Sequence, residues 1–313
     1  MLKLLIPALI CLSAAAQQYP HETKFLSLSA EGKNFRMAFM DVRPAKPNGK
    51  TAVLFHGKNF NGFYWKDVIE FLTAEGFRVV VPDQVGWGKS DKPLIHYSFH
   101  SLARNTKILL DTLKISKATI IGHSMGGMLA TRFCRMYPEM ADRLILENPI
   151  GLEDYRLFVP DQHIDSLIKA EESATYESYK KYQQSYYPVW QPAYEPLVQS
   201  QAEALKDPDF KTIAHVNALT YRMIYEQPVF YEFDSLTLKT LLIIGQEDRT
   251  IIGKAKLSQV LQKKYGQYPS LGKALNRKIR NSTLIELPGV GHIPHIQELQ
   301  IFKKEVSAFL KSN

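Results

Sequence analysis

Three residues far apart in a 313-residue chain have the types needed for nucleophilic catalysis: Ser124, Asp248 and His292. A serine hydroxyl is a poor nucleophile near neutral pH and needs a positioned base, itself oriented by a third group. Ser124 lies in Gly122-His123-Ser124-Met125-Gly126, a G-x-S-x-G pattern. The β-branched run Thr119-Ile120-Ile121 precedes it, and apolar, helix-compatible sequence resumes after Gly127. A strand, a sharp turn and a helix are the context in which this pentapeptide lifts a hydroxyl on strained backbone. The glycines have a steric reason, since a Cβ two positions from the serine would collide with the adjacent strand or helix. Outside that context the same five residues are a glycine-rich turn with an incidental serine.

Asp248 follows the apolar run Thr240–Ile244 within Gly245-Gln246-Glu247-Asp248, and His292 follows Leu284–Leu287 within Pro288-Gly289-Val290-Gly291-His292. Each alone is weak, because an aspartate after a strand commonly shapes a turn. In an open parallel sheet, however, functional groups gather beyond the carboxyl ends of the strands. All three residues stand at such ends, in the chain order Ser, Asp, His. Glu247 is the competing acid.

The elements that must position them alternate along the chain. Phe25–Leu28 and Phe35–Val42 read as a hairpin joined at Glu31-Gly32-Lys33-Asn34. Buried strands follow at Thr51–Phe55, Arg78–Val81 and Thr119–Ile121 and further strands at Arg143–Leu146, Thr240–Ile244 and Thr283–Glu286, with helices near 64–75, 99–113, after Gly127 and at 296–310. The expected fold class is α/β, a mostly parallel, doubly wound sheet. From about Pro149 to Leu238 the pattern changes to long, polar, tyrosine-rich sequence, read as a helical cap inserted between strands 6 and 7. Tyr176, Tyr179, Tyr182 and Tyr186 recur at intervals of three and four, which puts them on one face of a helix. Such a stripe packs the segment onto the main domain, or roofs an aromatic pocket. The stretch Gln262–Arg280 reads as a surface excursion.

Composition narrows the classes. Lys and Arg exceed Asp and Glu by 39 − 31 = 8, with no run of five basic residues, so no nucleic-acid partner is expected. Lys3, the apolar Leu4–Leu12 and Ala14-Ala15-Ala16 form a secretory signal over residues 1–16, with residue 18 the alternative end. Its cleavage leaves no stable membrane span and directs the protein to secretion or the periplasm. It also removes Cys11 and leaves Cys134 alone, a small hydrophobe with no disulfide partner. There is no H-E-x-x-H, paired cysteine or carboxylate cluster, so neither metal nor cofactor is expected.

From about Ala52 to Leu310, excepting the cap, the chain resembles the α/β-hydrolase family, specifically its capped serine hydrolases. The resemblance rests on five motifs in order: His56-Gly57 with Trp65 after it, Asp83-x-x-Gly86-x-Gly88-x-Ser90, Gly122-His-Ser-Met-Gly-Gly127, Gly245-x-x-Asp248 and Gly291-His292. It implies Ser124 as nucleophile, His292 as general base and then acid, and Asp248 as the group orienting His292. The oxyanion hole would be the backbone N–H groups of Met125, beside the nucleophile, and Lys58, with Asn59 the rival for the second donor. His56 and His123 would frame the pocket; Asp83, Gly86 and Gly88 would shape a turn. Serine rather than aspartate at the elbow argues against haloalkane dehalogenase and epoxide hydrolase chemistry. His56-Gly57-Lys58-Asn59 also lacks the Gly-Gly-Pro-Gly run of proline iminopeptidases.

The expectation is an exported serine hydrolase acting on a small-molecule, partly apolar carboxylic ester or lactone. Residues 19–148 and 239–313 would form the core and 149–238 the cap. Amide, C–C or perhydrolysis chemistry by the same three residues, and a non-catalytic ligand-binding protein of the same fold, are the alternatives. Nothing in the sequence fixes the oligomeric state.

Overall fold

A computed structural model describes residues 19–312. Residues 1–16, read above as a secretory signal, and Cys11 therefore lie outside the described residues. Eight strands form one sheet: β1 (Thr23–Ala30), β2 (Lys33–Val42), β3 (Thr51–Phe55), β4 (Arg78–Pro82), β5 (Ala118–His123), β6 (Ala141–Glu147), β7 (Thr240–Gly245) and β8 (Ser282–Leu287). Their spatial order is β1-β2-β4-β3-β5-β6-β7-β8. The β1–β2 hairpin and the β2–β4 pair are antiparallel, and β3 to β8 run parallel. All eight strands were legible in the sequence. The hairpin turns through Glu31 and Gly32, both at positive φ (51° and 72°), the backbone twist that a two-residue loop needs to match its strands.

The helices are α1 (Lys66–Ala74), α2 (Phe99–Thr112), α3 (Met125–Met136), α4 (Ile164–Glu172), α5 (Tyr176–Gln184), α6 (Glu195–Ala202), α7 (Phe210–Glu226), α8 (Gln259–Lys264), α9 (Tyr268–Lys278), α10 (Pro294–Gln297) and α11 (Leu299–Lys311). Central strands are apolar on both faces because both are covered. Val53, Ile120, Leu242 and Ile244 join one core with Leu109 of α2, Phe133 of α3 and Leu275 of α9. Their neighbours Leu54, Ile121, Leu241 and Ile243 join a second core with Ile69 of α1 and Phe302 and Val306 of α11. Cys134 is buried in the first of these cores, and burial pushes its thiol well above the usual range.

One expectation is corrected. The stretch Gln262–Arg280 is not a surface excursion: α9 is the crossover helix between β7 and β8. Gly272 lies against Ile244, and Leu275 and Ile279 are buried. Tyr268 is buried too and donates from its hydroxyl to the Pro149 carbonyl at 3.2 Å. The basic residues from Lys273 to Arg280 masked this apolar stripe. Between β6 and β7 run α4 to α7, the only long excursion from the strand–helix alternation among the described residues.

Candidate active site

The carboxyl ends of β5, β7 and β8 bring the three predicted residues together. Ser124 follows β5 at φ 57°, ψ −121°, a left-handed conformation that costs a non-glycine residue about 1–3 kcal/mol. The turn is possible because its neighbours lack side chains. A Cβ on Gly122 would lie 2.2 Å from the Gly126 carbonyl oxygen, and one on Gly126 would lie 2.1 Å from that of Phe55 in β3. Ser124 therefore stands on the N-terminus of α3, with its N–H donating to the Glu147 carbonyl at 3.2 Å.

His292 reaches Ser124 through Nε2, 2.9 Å from Oγ, and Asp248 through Nδ1, 2.7 Å from Oδ2. The loops carrying Asp248 and His292 touch: a Cβ on Gly245 would fall 2.0 Å from the Gly291 carbonyl oxygen. Asp248 and His292 are both buried. Burial opposes ionisation of Asp248. His292, the Thr250 N–H on Oδ1 (2.8 Å) and the Asn148 amide on Oδ2 (2.7 Å) outweigh it and hold the carboxyl below its usual range. Glu247, the competing acid, forms a surface pair with Arg249 at 3.9 Å, half exposed and away from His292.

The candidate donors for a developing oxyanion lie on either side of Ser124. Met125 opens α3, and no protein acceptor among the described residues takes its N–H. On the other side a Cβ on Gly57 would sit 3.1 Å from Ser124 Cβ, which places the Lys58 peptide beside the elbow. The Lys58 carbonyl accepts from Trp87 Nε1 at 2.6 Å, fixing that peptide from the loop after β4. Asn59 donates from Nδ2 to the Tyr186 hydroxyl at 2.9 Å, so its side chain is committed across the mouth of the site.

Two histidines frame this floor in neutral form. His123 accepts from the Tyr64 hydroxyl at Nδ1 (3.1 Å) and donates from Nε2 to the His292 carbonyl (2.8 Å). Burial, then the nearby imidazoles of His292 and His295, push it well below the usual histidine range. The Tyr64 hydroxyl in turn accepts the Gly57 N–H at 3.0 Å, tying the first loop to the elbow. His56 accepts the Gln84 N–H at Nε2 (3.0 Å), and burial lowers its pKa. Asp83 ties the next loop together by accepting from the Gly62 and Lys89 N–H groups, each at 2.7 Å.

Above the floor is a cavity of about 690 Å³ that includes Ser124, Lys58, Tyr182, Tyr186 and Ile251 in its wall. Of the tyrosine stripe, Tyr179, Tyr182 and Tyr186 face this cavity, whereas Tyr176 bonds Glu195. Helix α5 ends at Gln184, so Tyr186 lies beyond it. Its ring stacks on His292 (centroids 4.7 Å apart, 25° between planes), and its carbonyl accepts the His292 N–H at 2.8 Å. Sequence reasoning missed this grip on His292, and missed Asn148. The available signal for Asn148 was a polar residue immediately after β6, between the strands that carry Ser124 and Asp248. Among the described residues no group of three or more His, Cys, Asp or Glu could hold a metal, and no helix is long and apolar enough to cross a membrane.

The comparisons agree with this architecture. A crystal structure of a probable hydrolytic enzyme from Pseudomonas aeruginosa PAO1 is 42% identical and superposes with a TM-score of 0.92 over 94% of this chain and 96% of that one. The enol-lactonase from Burkholderia xenovorans LB400, 19% identical with a TM-score of 0.72 over 92% and 100% of the two chains, shares the fold. A curated relative from Paraburkholderia phymatum, named a 2-hydroxy-6-oxononadienedioate/2-hydroxy-6-oxononatrienedioate hydrolase, is 36% identical over 129 residues, 40% of this chain and 43% of that protein. An uncharacterised Mycobacterium bovis protein is 40% identical over 105 residues, 34% of this chain and 30% of its own length. The chain thus spans less than half the length of these curated relatives. The profile of the alpha/beta hydrolase fold matches residues 51–299, and the chain belongs to that family.

Proposed function

We propose that this chain is an exported serine hydrolase that cleaves a carboxylic ester or lactone through an acyl-enzyme. The observation that carries the reading is the Ser124–His292–Asp248 hydrogen-bond relay, 2.9 and 2.7 Å, at the floor of a cavity large enough for a small organic substrate. Ser124 Oγ attacks the carbonyl carbon while its proton passes to His292 Nε2. Asp248 holds His292 Nδ1–H and stabilises the imidazolium. The Met125 and Lys58 N–H groups receive the oxyanion, each contributing about 10²–10³ in turnover. Collapse expels the alkoxide, which takes the proton from His292. Water, deprotonated by His292, then attacks the acyl-enzyme and releases the acid.

The 149–238 segment acts as a cap whose tyrosines set the apolar part of the pocket. Export rests on Lys3, Leu4–Leu12 and Ala14–Ala16, and N-terminal sequencing of protein recovered outside the cytoplasm tests it. Hydrolysis of 4-nitrophenyl acetate, butyrate and octanoate by the protein and by Ser124→Ala tests the reaction. Activity that disappears in the variant supports both nucleophile and ester class. No turnover, together with no fluorophosphonate label on Ser124, overturns the reading in favour of a binding protein. The names of the partial curated relatives favour one second reading, hydrolysis of a C–C bond in a dienoate ketone, so such a ketone belongs in the substrate panel.

A further inference from the structure

The cavity contains a cation that the protein does not use. Lys58 projects from the loop beside Ser124, and its ammonium has no hydrogen-bond acceptor and no carboxylate within 4.0 Å among the described residues. Of the other lysines in the cavity wall, Lys256 is exposed to solvent, Lys89 reaches the Thr23 hydroxyl at 3.4 Å, and two more are committed to carbonyls. Lys92 donates to the Gly88 and Ser90 carbonyls at 2.8 and 2.9 Å, and Lys254 to the Arg249 carbonyl at 2.9 Å. A lysine side chain loses rotamer freedom and hydration when it is drawn into a cavity. No hydrogen bond or ion pair within 4.0 Å compensates for this at Lys58 among the described residues. Burial pushes its amine below the usual range, and the charge of Glu171, also in the cavity wall, opposes that shift from beyond contact distance.

We infer that Lys58 is a specificity determinant that pairs with a carboxylate on the substrate, at the end of the acyl or leaving group remote from the scissile carbonyl. Tyr179 and Tyr182 flank the same space and suit an intervening hydrocarbon segment. The substrate class is then the monoester or lactone of an acid bearing a second, ionised carboxyl group. One residue serves two ends of the substrate: its peptide N–H faces the reacting carbonyl and its ammonium the remote anion.

The inference rests on the proposed hydrolytic reading, and its test separates the two. Rates are measured on 4-nitrophenyl hexanoate and on the 4-nitrophenyl monoester of adipic acid, which carries a terminal carboxylate in place of a methyl group. Lys58→Met should lower the adipate-to-hexanoate ratio of kcat/KM by about ten-fold or more, the size of one charge-assisted hydrogen bond, with Lys58→Arg restoring part of it. Glu171→Gln should raise the ratio by removing a repulsive charge. Both esters use the same backbone donor, so a shift of the Lys58 peptide cancels in the ratio. An unchanged ratio in Lys58→Met overturns the inference. So does a Glu171→Gln variant that copies Lys58→Met on both esters, because the two side chains then pair with each other. If neither ester is turned over, the hydrolytic reading fails. Calorimetric binding of the two esters to Ser124→Ala, with and without Lys58→Met, still decides the carboxylate preference.

Discussion

Asn148 holds Asp248 from behind: its Nδ2 donates to Asp248 Oδ2 at 2.7 Å, while its Oδ1 accepts the Gly245 N–H at 2.8 Å. The same carboxylate oxygen accepts His292 Nδ1, so the amide fixes the direction in which Asp248 presents itself. Asn148→Ala should leave the sheet intact but free the carboxylate to rotate, costing up to about 10² in kcat/KM on an active ester. Ester kinetics with circular dichroism on the same sample check this. Full activity in a folded Asn148→Ala variant would show that the Thr250 N–H alone orients Asp248.

Within the proposed relay the three residues should not be equivalent. Ser124→Ala and His292→Ala should each cost about 10⁶ in kcat. Asp248→Asn should cost about 10⁴, because the amide supports the wrong imidazole tautomer without disturbing the geometry. Combining Ser124→Ala with Asp248→Asn should add nothing further. Additive losses in the double variant would mean that the two groups act on separate steps.

Tyr186 grips His292 in two ways, by a ring stack and by a backbone carbonyl. Tyr186→Phe keeps both and loses only the hydroxyl that accepts from Asn59, so kcat/KM should change by less than about ten-fold. Tyr186→Ala removes the stack and should lower kcat more than it changes the KM of a short acetate ester. An equal effect of the two variants would assign the role to the hydroxyl.

The relay was legible because its three members obey a local rule, a polar group just past the end of an apolar run in a parallel sheet. The strands were legible because the central parallel strands, covered on both faces, leave short apolar runs that helices do not mimic, and the edge strand β8 keeps enough of that pattern in Leu284, Ile285 and Leu287. What escaped was non-local. Tyr186 belongs by spacing to the α5 stripe, yet it lies past the helix end, and its contact spans more than a hundred residues to His292. Asn148 is a lone polar residue whose partners are about a hundred positions away. Helix α9 was hidden because its exposed basic face dominates the composition, while its buried face has few residues, Tyr268, Gly272 and Leu275.

Asp41 and Arg78 tie β2 to β4 by a bidentate pair, Nε to Oδ1 at 2.7 Å and Nη2 to Oδ2 at 2.8 Å. Burial opposes ionisation of Asp41, but Arg78 prevails and holds its carboxyl below the usual range. A depressed native value means the pair's stabilisation is fully present above the unfolded aspartate value, about 3.9, and is lost as pH falls through the lower native one. The stability difference between the protein and Asp41→Asn should therefore be constant above about pH 5 and shrink below about pH 4. Urea unfolding across that range reads it. A difference that stays constant down to pH 3 would remove the pair from the acid sensitivity of the fold.

Beneath the site a second carboxylate–imidazole pair is sealed into the core. Glu147, at the end of β6, accepts from the His295 backbone N–H at 2.7 Å and from its Nδ1 at 2.8 Å to Oε2. Both side chains are buried, and the His295 ring stacks on Trp65 with centroids 4.4 Å apart. Removing the imidazole leaves Glu147 with only the backbone N–H of residue 295, and losing one partner of a buried pair costs up to about 3–5 kcal/mol. His295→Ala should lose about that much stability. It should also loosen α10, which begins two residues after His292, and so lower kcat as well as the melting temperature. Replacing both partners, Glu147→Leu with His295→Phe, should recover part of the stability, because no side-chain polar group is left without its partner and only the residue-295 N–H loses its acceptor. If the double variant is no more stable than His295→Ala, the loss comes from the missing ring against Trp65 and not from the stranded carboxylate.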